Sequence, residues 1–373
     1  MWCSLGPGSL VSLVLSTSLM LVAGPAAAFG TIDTGGQNRE HERITRAAVA
    51  CPAGTGSDGD CFEPRTADQL AGHGKTFGAI GDPDLTEVFI PAAHCDDADF
   101  LDGGYPRTRD DATGRLLDCV NHLRARFREA VDDAKDLLDD EGEINPIEVN
   151  LDTDCQLAQR DEQRAKCTSL ERFGRALHGV QDFYSHSNWA DEADPARPIG
   201  ADNPPGLNLP APSPILDLRG SGTPTVPADL TTGCFVLRDT VPGVGECERR
   251  VTHAALNKDL GLIDPNTGSA TSPTTPRGKV GSNFAKAVAG AIAETRRQWR
   301  DLRTALEASY GAKKASLMVC ALTHDDPLND CGTNGHAAVV VGVLIGGLVA
   351  CILLIWVWWR RRRTALRPRE VTR

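Results

Sequence analysis

The chain has 373 residues, is 41% hydrophobic and carries a formal charge of −11. Its acidity excludes a polyanion-binding surface unless cations intervene, so no nucleic-acid partner is expected.

The opening stretch "LGPGSLVSLVLSTSLMLVAGPAAAFG" is apolar and ends in small residues at Ala26 and Ala28. It reads as a secretory signal over 1–28, cleaved after Ala28 to leave Phe29 as the first residue, the alternative being an uncleaved anchor. "NREHERITRAAVA" predicts a helix capped at Asn38, with His41, Ile44 and Ala48 on one face. Residues 52–115 are rich in Gly, Asp and Pro and read mainly as long loops. "RLLDCVNHLRARFREAVDDAKDLLDD" predicts a long helix. Another is expected from "TSLE", where Thr168 and Glu171 have capping-box spacing, and a third over "NFAKAVAGAIAETRRQWRDLRTALEASYG", stopping at Gly311. Between the last two lies a Pro- and Gly-rich insertion at about 192–232, either an ordered cover over a site or a solvated loop.

Residues 312–336 read as a short stalk. The uncharged run from Ala337 to Trp359 is long enough to cross a bilayer. Arg360 to Arg363 follow at once, which predicts a transmembrane helix at 337–359, a basic cytoplasmic tail at 360–373 and a domain outside the cell. Of twelve cysteines, Cys3 falls in the signal and Cys351 in the span, leaving ten. An even number in an exported domain points to disulfides, and proximity suggests Cys51–Cys61, Cys95–Cys119, Cys155–Cys167, Cys234–Cys247 and Cys320–Cys331. Three helices and no alternating strands predict an all-α fold with disulfide-pinned loops.

The stretch "LERFGRALHGVQDFYSHSNWAD" places His178, Asp182 and His186 four residues apart on one helix. Neighbours at that spacing can share an ion, although eight residues rise roughly 12 Å, too far for all three to hold one metal. Leu170, Phe173, Leu177, Val180 and Tyr184 form the apolar stripe on the other side, so the ladder is either a metal site or a solvated polar face. Asp82, His94, His41 and His253 supply further ligand types elsewhere in the chain. The spaced acids of "DADFLDGG" lack the closing Glu of an EF-hand loop.

With "LHGVQDFYSHSN" and these scattered residues in view, the sequence resembles the zinc-dependent phospholipase C and single-strand nuclease superfamily, and within it the Het-C-like proteins. The resemblance implies a phospholipase C-like helical domain over 29–311 that binds one to three zinc ions. It implies metal ligation by Phe29 (through its amine and carbonyl), His41, Asp82, His94, His178, Asp182, His186 and His253. Asp182 would bridge two ions, and Asp82 would orient or deprotonate the attacking water. Asn257 stands four residues after His253, where the phospholipases place Glu; the second site is either depleted or completed by Asp259. The expected activity is a membrane-anchored phosphodiesterase acting on phospholipid or another phosphodiester. The rival is a non-catalytic cell-surface protein on the same scaffold.

Overall fold

The computed structural model describes residues 29–74, 76–157, 164–235 and 247–331. The signal, transmembrane and tail assignments fall outside these residues, and no helix among the described residues is long and apolar enough to cross a membrane. The fold is mainly helical, as expected, and all five expected cysteine pairs are joined.

In chain order the helices are α1 (Glu40–Val49), α2 (Pro64–Ala71), α3 (Pro83–Thr86), α4 (Arg109–Asp133), α5 (Pro146–Val149), α6 (Ala165–His186), α7 (His253–Leu256), α8 (Asn283–Tyr310), α9 (Ala312–Thr323) and α10 (Pro327–Asp330). One two-residue hairpin, β1 (Leu262–Ile263) and β2 (Ala270–Thr271), pairs antiparallel. α6 is the axis of the molecule. α4 and α8 pack along it, while α1, α2, the Pro91–Ala93 turn and α9 close the remaining sides. Leu170, Phe173, Leu177, Val180 and Tyr184 join Leu123, Phe127, Val288 and Trp299 in one core.

Four local expectations are corrected. α1 is capped by Arg39 with φ 52°, while Asn38 bonds instead to Glu40 and the Gly261 carbonyl. α6 starts at Ala165, and Thr168 lies inside it with its hydroxyl donating to the Ala165 carbonyl, so no capping box forms. The region taken as loops contains α2, which buries Ala67 and Leu70. The segment taken as a stalk folds back as α9 and buries Ala315, Met318, Ala321 and Leu322. Its apolar residues recur at three- and four-residue steps, and burying them favours helix over an extended linker.

The Pro-rich insertion is ordered and packs on the apolar core. Asn188 donates to the carbonyls of Pro205 and Asp229, Ser213 is held by Tyr184, and Ile215, Leu216 and Leu218 are fully buried.

Candidate metal centre

The polar side of α6 is buried like its apolar stripe: His178, Asp182 and His186 have no solvent exposure. A solvated face is therefore ruled out, and the covering elements reach the helix because it carries glycines. A Cβ on Gly174 would lie 2.4 Å from Ala79 Cβ, and one on Gly179 would lie 2.6 Å from the Ala93 carbonyl. Mid-helix glycine costs about 1 kcal/mol relative to alanine. Here it admits the two segments that carry Ile80 and His94 onto the ladder. That "RFG…HG" spacing is the signal in the sequence that the polar face is covered.

A first cluster forms around Asp182. Its Oδ1 lies 3.2 Å from His41 Nε2, and its Oδ2 lies 3.0 Å from both His94 Nδ1 and His178 Nε2. The far nitrogen of each imidazole faces a carbonyl oxygen: Gln181 Oε1 for His41 (2.8 Å), Glu87 O for His94 (3.3 Å) and Ile80 O for His178 (2.8 Å). Gln181 is held in that orientation because its amide nitrogen donates to Thr45 and Thr295. A carbonyl only accepts, so each far nitrogen carries the proton and each near nitrogen turns a lone pair inward.

Three lone pairs and a carboxylate thus converge. His178 Nε2 and His94 Nδ1 are 3.0 Å apart, and the buried His41 Nε2 and Asp182 Oδ1 have no hydrogen-bond partner. Such a donor set requires a cation among its members, either a proton or a metal ion. In the metal-free protein protons take that place. Burial opposes charging His178, but Asp182 and Asp84 outweigh it and lift its pKa to about 9. Burial likewise opposes charge on Asp182, but the neighbouring histidines hold it well below the usual carboxylate range. Imidazole and carboxylate around one point fit zinc.

Asp82 does not join this cluster. Its carboxylate turns away to Arg175 and Thr86, with Oδ1 unpartnered, and burial pushes it up to about 6 despite the guanidinium. Asp84, two residues on, faces the cluster instead: Oδ1 lies 3.6 Å from His178 Nε2 and 4.0 Å from His94 Nδ1, and Thr31 donates to Oδ2. Both acids sit in "GDPD", where spacing cannot distinguish them; only the one-turn helix α3 decides which points inward. Arg175, bonded to Asp82, Thr86, Glu87 and Glu171, clamps that helix onto α6. Phe29 is fully buried, its ring edge-on to His41 at 5.8 Å, which places it beside the first cluster.

A second cluster holds His186 and His253. Asp96 lies 3.3 Å from His186 and 3.2 Å from His253, and Asp259 lies 3.2 Å and 3.6 Å from the same two rings. Asp259 thus lies beside both rings, while the Asn257 amide nitrogen sits 3.4 Å from His253 Nε2 and its oxygen accepts from the Asp259 backbone. Asp96 was not legible as a ligand among the acids around Cys95. Burial opposes charge on all four. The two acids nevertheless raise His186 well above its ordinary value and His253 to about 9, and the two imidazoles hold Asp96 low and Asp259 at about 2. Asp97 and Asp99, the acids of the rejected calcium loop, are bound instead by Arg107 and Arg250.

Within the described residues, His41, His178 and Asp182; Asp84, His94 and His178; and Asp96, His186 and His253 form groups whose donor atoms all lie within 4.8 Å of one another. Compared with known proteins, the chain matches no family model, no curated protein and no solved structure.

Proposed function

We propose that this chain is a membrane-anchored, extracytoplasmic zinc-dependent phosphodiesterase of the phospholipase C type, on a Het-C-like scaffold. The observation that supports it most is the inward convergence of His41, His94 and His178 on Asp182, each with its outer N–H committed to a carbonyl. Asp84, His94, His178 and Asp182 would hold one ion. His41 and Asp182, with Phe29 alongside, would hold a second. Asp96, His186, His253 and Asp259 would hold a third.

Zinc bound at these residues supplies Lewis acidity toward a phosphoryl oxygen and makes water acidic enough to attack near neutral pH. Asp84 is the ligand that also meets solvent, with 15% of its side chain exposed, so it is the group placed to take the proton from that water. This assigns to Asp84 the role expected of Asp82. Glu87 and Gln181 hold His94 and His41 in the ligating tautomer.

A second reading is a cell-surface protein in which the metals are structural. The near-complete burial of the second cluster favours it, since a closed four-ligand site leaves no position for substrate. Zinc content of the purified chain, followed by hydrolysis of a chromogenic phosphodiester and of short-chain phosphatidylcholine, separates the two. Less than one zinc per chain, unchanged by His178→Ala, overturns both; zinc without turnover leaves the structural reading.

A further inference from the structure

Eight large hydrophobic side chains are exposed among the described residues, and four of them lie within six residues of Asp84 or next to its partner Thr31 in the chain. Leu85 (50% exposed), Phe89 (71%) and Ile90 (42%) follow Asp84 within six residues, and Ile32 (39%) follows Thr31, whose hydroxyl is bonded to Asp84. Leu85 and Phe89 are four residues apart on α3 and the turn that ends it. Such side chains favour burial, and contiguous apolar patches on a soluble surface mark a contact. Asp84 itself meets solvent, with 15% of its side chain exposed.

The rest of the chain argues for the occupant. The described domain ends at Cys331, and the uncharged run begins at Ala337, six residues later. Six residues span at most about 21 Å, so a bilayer that holds the run lies close under the domain. The net charge of −11 disfavours an anionic surface.

We propose that Ile32, Leu85, Phe89 and Ile90 form a face that inserts into a zwitterionic lipid surface, so that the Asp84 side of the metal centre opens onto lipid headgroups. This rests on the anchored-phosphodiesterase reading and adds to it how the lipid reaches the site.

The test uses the full chain with Cys3→Ser and Cys351→Ser, placed in phosphatidylcholine nanodiscs and labelled with acrylodan at Phe89→Cys. Ile147→Cys and Ile199→Cys, equally exposed elsewhere, serve as controls. The expected result is a blue-shifted label at position 89 that loses intensity to nitroxide-bearing phosphatidylcholine, with both controls unaffected. A label at 89 quenched no more than that at 199 overturns the proposal, as does a blue shift without quenching, which means that protein covers the face. The readout needs no turnover. A chain that passes it but hydrolyses nothing refutes the enzyme reading and leaves the lipid face standing. A chain that hydrolyses a soluble diester but fails it refutes the lipid face alone.

Discussion

Asp84→Asn and Asp82→Asn, made separately, distinguish the ligand that the fold presents from its neighbour in sequence. Asp84 Oδ1 lies 3.6 Å from His178 Nε2, within the space that the first cluster shares. Two unit charges about 4 Å apart at an effective dielectric near 20 interact by about 4 kcal/mol. Asparagine keeps the shape and one acceptor, so the expected loss is about 100- to 1,000-fold in zinc affinity. Asp82 contributes nothing to that set. Its raised pKa means that its protonated form stabilises the fold: that contribution is complete below the unfolded value of 3.8 and is lost as pH rises through about 6. At pH 7.5 its charge is a burden that the neutral amide of Asp82→Asn would remove, while Arg175 keeps Glu87 and Glu171. Asp82→Asn should therefore leave zinc affinity nearly unchanged and flatten the pH dependence of the melting temperature between pH 4 and 6. Competition against a chromophoric chelator at pH 7.5, with thermal melts over pH 4–8, reads both effects. Equal loss of zinc affinity in the two variants refutes the reasoning.

Three further outcomes follow from the same geometry. In the chelated protein the protonated forms of His178 and His253 contribute stability that is complete below about pH 6.5 and lost as pH rises through about 9. Melting temperature should fall across that window without metal, while zinc affinity, gained by displacing those protons, should rise; a flat metal-free profile contradicts this. Gly179→Ala should gain helix propensity yet lose about 1–3 kcal/mol net, because its Cβ meets a backbone carbonyl, and should release zinc as the His94 segment lifts. Unfolding by denaturant and metal content check it, and a stabilised variant with full zinc would count against the close approach. Arg175→Met strips the guanidinium from buried Asp82; removing one partner of a buried pair costs about 3–5 kcal/mol. That penalty should shrink at pH 5, where Asp82 is neutral; a penalty independent of pH would show that the clamp acts through Glu87, Glu171 and packing and not through Asp82.

The sequence by itself determined the helical class, the face that His41 shares with Ile44, the end of α8 at Gly311 and the pairing of His178 with Asp182, and it suggested the five disulfide pairs, whose connectivity the structure supplied. These follow from local rules: apolar periodicity, proximity of cysteines along the chain, glycine at a helix end and four-residue spacing on one helix. The ladder's burial left only the trace of Gly174 and Gly179, because an apolar stripe opposite a polar face is also how a surface helix looks. It took α1, the 79–96 segment and the 253–259 segment to dry that face, with Gly174 and Gly179 admitting Ala79 and Ala93. The choice of Asp84 over Asp82, and the recruitment of Asp96 and Asp259 beside His186 and His253, depended on loop backbone geometry and long-range packing. Neither leaves a period in the sequence. The spacing named the helix that carries the donors, and tertiary structure alone decided which carboxylates meet them.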